Sequence, residues 1–151
     1  MRPSIHTITW KFCDAAKVYP EIPTGEKAYV RTPADVYERF KCLFVDQVKE
    51  RFIVLWLNSM NRVIGFEVVS EGTLNGSLVH PREVFRGAIV ATCASIVVAH
   101  NHPSGNPEPS KEDIQITRQL VDAGKILGIP LLDHVIFADA THTSLAERGH
   151  V

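Results

Sequence analysis

The sequence predicts an α/β (α+β) sandwich, a mixed sheet flanked by helices, and three observations predict it. Short apolar runs of the kind that fill a sheet alternate with stretches whose apolar residues recur at helical spacing. The links between them are of two sorts: one tight polar turn between neighbouring strands, and longer crossovers that pass through a helix. The chain of 151 residues, 45% of them apolar, is also long enough to bury one core without staples.

Taken in order, residues 1–31 read as an N-terminal arm or loop. "SIHTITW" has strand character, but "YPEIPTGEKAY" is interrupted by prolines and a glycine. The organised domain, residues 32–151, opens at Thr32, a good N-cap. Pro33 suits the first helical position, and Asp35 can close a capping box. Val36, Tyr37, Phe40, Leu43 and Phe44 then form one apolar stripe, so a helix is expected through them. "FIVLWL", Phe52 to Leu57, is continuously apolar and reads as a central strand buried on both faces. "NSMNR" turns the chain, and Val63 to Val69 returns as the second arm of a hairpin.

The loop from Gly72 to Val79 ends at His80-Pro81, where a second helix begins, marked by Val84, Phe85, Ala88 and Ile89. "ASIVVAH" is another buried strand. A third helix starts near Ser110, runs through Ile114, Leu120, Val121 and Leu127, and stops at "GIP". "LLDHVIFAD" is a further strand, and "HTSLAERG" a short last element.

Composition narrows the function classes. A net charge of −1 without a basic block gives no support to nucleic-acid or anionic-membrane binding through bulk electrostatics. No apolar run is long enough to cross a bilayer, and the first residues lack the pattern of a signal peptide. Cys13, Cys42 and Cys93 are odd in number and form no C-x-x-C. Cys42 and Cys93 fall in apolar stretches, so buried, reduced thiols in a cytoplasmic protein are expected.

The chemistry concentrates in "AHNHPSGNPEPSKED", Ala99 to Asp113. Residues two apart on a strand share a face, so His100 and His102 can point into one pocket. The Pro/Gly-rich bend lets the chain return, and Asp113 falls in the first turn of the helix begun by Ser110. Two imidazoles and a carboxylate, with a fourth position left to water, are the donor set of a catalytic zinc site. Each part alone is ordinary: S-x-x-D is a capping box, the bend is a loop, and H-x-H is a weak motif. The combined spacing, H-x-H, seven residues, S-x-x-D, is much harder to meet by chance, and it favours a metal.

That spacing is also the signature of JAMM-type (MPN+) zinc metalloproteases. With "GTLNGSLVHPREVF" and "LLDHVIF", the segment "HNHPSG" resembles the RadC-like branch of that superfamily over about residues 32–150. The resemblance implies the deaminase-like JAMM/MPN fold, Zn2+ as cofactor, and His100, His102 and Asp113 as its ligands. It also implies that residues 1–31 are the short arm of members lacking a larger N-terminal helical region. Family members carry an upstream glutamate at the start of the strand after the first helix, which matches Glu50 in "KERFIVLWL"; Glu67 and Glu71 are rivals. Glu50 would take a proton from a zinc-activated water and deliver it to the leaving amine, while Ser110 donates a hydrogen bond to the oxyanion.

Asn101 points away from the ligands and is expected to be structural. Asp133-His134 is either support behind the site or a satisfied strand-end pair. His80 starts a helix, and nothing distinguishes His142 or His150.

The expected function is a zinc-dependent hydrolase, a metallopeptidase or isopeptidase acting on a protein or peptide. Two alternatives stand beside it. One is a DNA-repair-associated or metal-dependent nucleic-acid-processing protein, although three adjacent letters "HNH" do not make the spread-out motif of HNH nucleases. The other is a non-catalytic JAMM binding module. The bend Pro103 to Pro109 and the loop Gly72 to Val79 are expected to line the cleft, and the oligomeric state is left open.

Overall fold

A computed structural model of the chain describes residues 4–45, 48–72 and 79–151. The first helix opens where local capping chemistry says it should. The Thr32 hydroxyl accepts the Asp35 N–H at 3.1 Å, and the Asp35 carboxylate accepts the Thr32 N–H at 3.0 Å. This reciprocal box starts helix α1, Pro33–Phe40. The apolar stripe outruns the helix: Lys41–Phe44 tightens into a 3-10 turn. That turn still carries Leu43 into the core, 1% exposed, because a three-residue repeat keeps it beneath Phe40.

The sheet has five strands: β1, Glu50–Leu57; β2, Val63–Gly72; β3, Ser95–Asn101; β4, Leu131–Phe137; and β5, His142–Ser144. Their order is β2-β1-β3-β4-β5. β1 pairs antiparallel with β2 and β3, β3 runs parallel to β4, and β4 is antiparallel to β5. The mixed sheet flanked by helices is therefore what forms. The middle strand is β3, however, with β1 one place from the edge.

Both strands read as apolar on both faces are so because helices cover both sides. Phe52, Val54 and Trp56 of β1 join Val84, Phe85 and Ala88 of α2 (Pro81–Val90) and Ile116 and Leu120 of α3 (Lys111–Leu127). Ile53, Leu55 and Leu57 point the other way, to Val36, Phe40 and Leu43. Side chains alternating along a pleated strand thus serve two cores at once. α3 ends at Gly128 in the left-handed region (φ 70°), its N–H bonded to the Gly124 carbonyl.

Residues 4–31 carry two short 3-10 turns, Ala15–Lys17 and Gly25–Ala28. A single bridge joins Tyr29 to Arg62, and Tyr19 and Ile22 pack on the α1-side core. Tyr19 also accepts a hydrogen bond from Arg51, whose guanidinium reaches the Leu43 carbonyl at 2.7 Å. All three cysteines are free thiols. Cys93 is buried as expected and Cys13 exposed, but Cys42 is only half-buried: the 3-10 turn points its neighbours Phe40 and Leu43 inward instead. Among the described residues no helix is long and apolar enough to cross a membrane.

Candidate metal centre

β3 carries the two histidines to one end of the sheet. His100 lies in the last turn of the pleat, and His102, just past the strand, extends the ladder through its N–H to the Phe137 carbonyl at 2.8 Å. Gly105, at φ 78°, then turns the chain back. Ser110 caps α3 with a second reciprocal box: its hydroxyl accepts the Asp113 N–H at 3.0 Å, and the Asp113 carboxylate accepts the Ser110 N–H at 2.8 Å. The cap that makes Ser110 and Asp113 ordinary is also what aims the carboxylate back at the strand.

The result is a tight cluster. Asp113 Oδ1 lies 3.3 Å from His100 Nε2, and Oδ2 lies 3.3 Å from His102 Nε2. The two imidazole Nε2 atoms are 2.9 Å apart. All three donor atoms fit within 4.8 Å of one another, a spacing that could hold a metal ion.

Proton counting tests the fit. His102 Nδ1 sits 2.7 Å from the Asn106 carbonyl, which only accepts, so Nδ1 carries the proton and Nε2 offers a lone pair when the ring is neutral. Lone pairs of His102 and Asp113 therefore converge on one point, an arrangement that fits a metal ion. The Asp113 hydrogen bond is the main reason that the His102 pKa is raised. Burial opposes ionisation of Asp113, but the imidazoles of His100 and His102, 3.3 Å from its oxygens, outweigh it whenever they carry a proton there and hold the carboxyl far below the usual carboxylate range.

Glu50 stands at the start of β1. The antiparallel register pairs Phe52 with His100, so Glu50 lies toward His102, whose charged form its carboxylate favours. Glu67 is further along, opposite Val54, with its carboxylate 2.7 Å from Arg86. Glu71 is on β2, paired with Arg51 at 3.3 Å. Of the three candidate carboxylates, Glu50 is the one brought beside the histidines.

Asn101 faces away from them, as expected, and is 7% exposed. Its Oδ1 accepts the Arg51 N–H at 2.7 Å and its Nδ2 donates to the Lys49 carbonyl at 3.1 Å. The amide thus brackets the backbone on both sides of Glu50. The signal available in the sequence was an amide between two histidines at the end of an otherwise largely apolar strand.

Asp133 and His134 divide. Asp133 accepts bonds from the His134 N–H, the Ser144 hydroxyl and the Ala146 N–H, a satisfied structural carboxylate. Burial raises its pKa against those bonds. His134, on the alternate face, is fully buried, with its Nε2 2.7 Å from His100 Nδ1. Burial first, and the nearby His100 second, push its pKa well below the usual histidine value. Its Nδ1 is 2.6 Å from the Thr117 hydroxyl, a residue for which the sequence gives no hint beyond a polar group on α3's buried side.

Beside His102 opens a cleft of about 630 Å³, walled by Tyr37, Phe44, Val45, Phe137 and Asp139. The bend Pro103 to Pro109 is not in its lining; α1, its 3-10 extension and the end of β4 build it instead. Of the other expected wall, Gly72 to Val79, residues 73–78 lie outside those described. His80 is the N-cap of α2, although its side chain makes no capping bond. His142 stacks on Tyr37 at 5.1 Å.

The family model of the RadC-like JAB domain matches residues 30–150. A UPF0758 protein of Salinibacter ruber is 54% identical over 82% of this chain and 53% of its own length. One of Methanosarcina mazei is 48% identical over 83% and 55%. One of Halalkalibacterium halodurans is 46% identical over 93% and 62%. The chain thus spans between 53% and 62% of the length of these curated relatives.

Proposed function

This chain belongs to the RadC-like JAB domain family, a fold of the metal-dependent hydrolase type, and on that premise we propose that it is a zinc-dependent metallopeptidase or isopeptidase. The observation that carries the reading is the convergence of His100, His102 and Asp113 on one point with a further carboxylate, Glu50, alongside.

His100, His102 and Asp113 would hold the ion, which supplies Lewis-acid polarisation and makes coordinated water more acidic. Glu50 takes a proton from the attacking water as the C–O bond forms. It returns the proton to the amine nitrogen as the C–N bond breaks, so one carboxylate serves as base and then as acid. Asn101 holds the Lys49 and Arg51 backbone and thereby keeps Glu50 in position. The Ser110 oxygen is occupied by the Asp113 N–H, but its own O–H remains to donate to the oxygen that becomes negative. The cleft beside His102, with its aromatic wall of Tyr37, Phe44 and Phe137, suits a side chain of a peptide or protein substrate. The three free thiols fit a cytoplasmic setting.

The test is hydrolysis of an unbiased peptide library, by the full chain, with and without added zinc. Zinc-dependent cleavage is expected, and its absence over the whole library counts against the peptidase reading. DNA binding that weakens steeply with salt would favour nucleic-acid processing instead.

The metal should also respond to pH with a definite sign. A raised His102 pKa means that the proton competing for the site is held more firmly than by an ordinary histidine. Zinc affinity should therefore climb as pH rises through and above the histidine range, and zinc should leave as pH falls through it. Dialysis followed by metal analysis reads this; retention well below about pH 5 would rule out ligation by two imidazoles.

A further inference from the structure

We propose that Thr117 and His134 form a one-way hydrogen-bond relay that fixes the tautomer of His100, presenting its bare Nε2 to the metal. The proposal rests on the reading that His100, His102 and Asp113 hold an ion, and it assigns positioning roles to two residues outside that set.

The direction of the relay follows from one terminus. The Thr117 hydroxyl lies 2.6 Å from the carbonyl oxygen of Asp113, one turn earlier in α3. A carbonyl only accepts, so the single hydroxyl proton is committed there. Thr117 Oγ1 is also 2.6 Å from His134 Nδ1, and having no second proton it must accept from that nitrogen. A neutral His134 protonated at Nδ1 has a bare Nε2, whose neighbour at 2.7 Å is His100 Nδ1. His100 Nδ1 must then be the donor, which leaves His100 Nε2 as the unprotonated nitrogen, 3.3 Å from Asp113 Oδ1. Run in reverse, the chain would place N–H on the nitrogen that has to ligate.

The surroundings leave the relay no alternative route through water. Thr117 and His134 are both fully buried, and His100 is 1% exposed. Phe52 covers the pair, parallel to the His100 ring at 6.0 Å and edge-on to His134 at 5.4 Å. The parallel register places His134 opposite Val98, two residues before His100 on the adjacent strand. A metal-ligating histidine ordinarily gives its second N–H to a carboxylate, carbonyl or water. Here a neutral histidine stands between, and the relay ends on the backbone of Asp113. The two ligands His100 and Asp113 are thereby joined behind the site as well as across it.

The experiment measures zinc affinity of the full chain by competition with a chromophoric chelator, using zinc alone as the probe. Thr117→Val keeps the shape and removes the hydroxyl; Thr117→Ser keeps the hydroxyl. Thr117→Val is expected to weaken zinc binding by about 10–100-fold, the usual cost of losing a partner behind a ligand, while Thr117→Ser stays near wild type. Should Thr117→Val fail to fold, long-range ¹H–¹⁵N spectra of the wild-type imidazoles decide alone. They should show His134 protonated at Nδ1 and bare at Nε2, and His100 protonated at Nδ1. A His134 proton on Nε2, or wild-type affinity in folded Thr117→Val, overturns the relay. His102→Ala separates the two ideas, since that ligand takes no part in the relay. Unchanged zinc affinity in His102→Ala overturns the metal centre itself, whereas its loss beside a silent Thr117→Val overturns the relay alone.

Discussion

Glu50→Gln is expected to retain its zinc and its fold while hydrolysis of a cleavable peptide falls by about 10²–10⁴-fold, the usual worth of general acid–base catalysis. The amide matches the carboxylate in volume and can still hydrogen-bond a water, but it cannot take the proton. Metal content should hold because the three proposed ligands come from β3, the residue just past its end and α3, with none from β1. Glu67→Gln is the control. Its carboxylate pairs with the exposed Arg86 on α2, so the change should cost at most the ~0–1 kcal/mol of a surface ion pair and leave turnover alone. An inactive Glu67→Gln beside an active Glu50→Gln would mean that the base comes from β2. Full activity in both would end the proposed mechanism.

The double substitution His100→Ala, His102→Ala should abolish the binding of about one zinc per chain, because one carboxylate is left where three ligands converged. The two positions are not equal for the fold. His100 is buried against His134, so its removal leaves a buried nitrogen without its partner, at a cost of about 1–3 kcal/mol. The His102 side chain is 11% exposed and bonds outward to the Asn106 carbonyl, so His102→Ala alone should lose most of the metal with a smaller loss of stability. Metal analysis beside a denaturant melt separates the two effects. Full metal content in the double variant would refute the site.

How legible these features were depended on how local their causes are. Both capping boxes, Thr32 with Asp35 and Ser110 with Asp113, are set within four residues and can be read directly from the chain. The two-residue period of a strand puts His100 and His102 on one face without knowledge of any neighbour. The length of α1 was less legible, because a 3-10 turn continues the same apolar spacing for a few residues more. Long-range pairings were illegible. That His134 meets His100 depends on the parallel register of β3 and β4 across the whole of α3, and that Asn101 brackets Glu50 depends on β1 lying beside β3. Asp133-His134 looked like one polar pair, but adjacent strand residues face opposite sides, so the two enter different environments. The cleft beside His102 was illegible for a similar reason: its walls come from α1 and the end of β4, distant in sequence from the bend that follows the histidines.

Asp113 serves the helix and the centre with the same carboxylate. Its Oδ2 accepts the Ser110 N–H at 2.8 Å while lying 3.3 Å from His102 Nε2. The rotamer that a ligand needs is therefore the one that the helix start already enforces. Freezing a side chain on association ordinarily costs about 0.5–1.5 kcal/mol of conformational entropy. At Asp113 that entropy is lost when the chain folds, where the two buried cores offset it, so an arriving ion meets an acid that is already rigid.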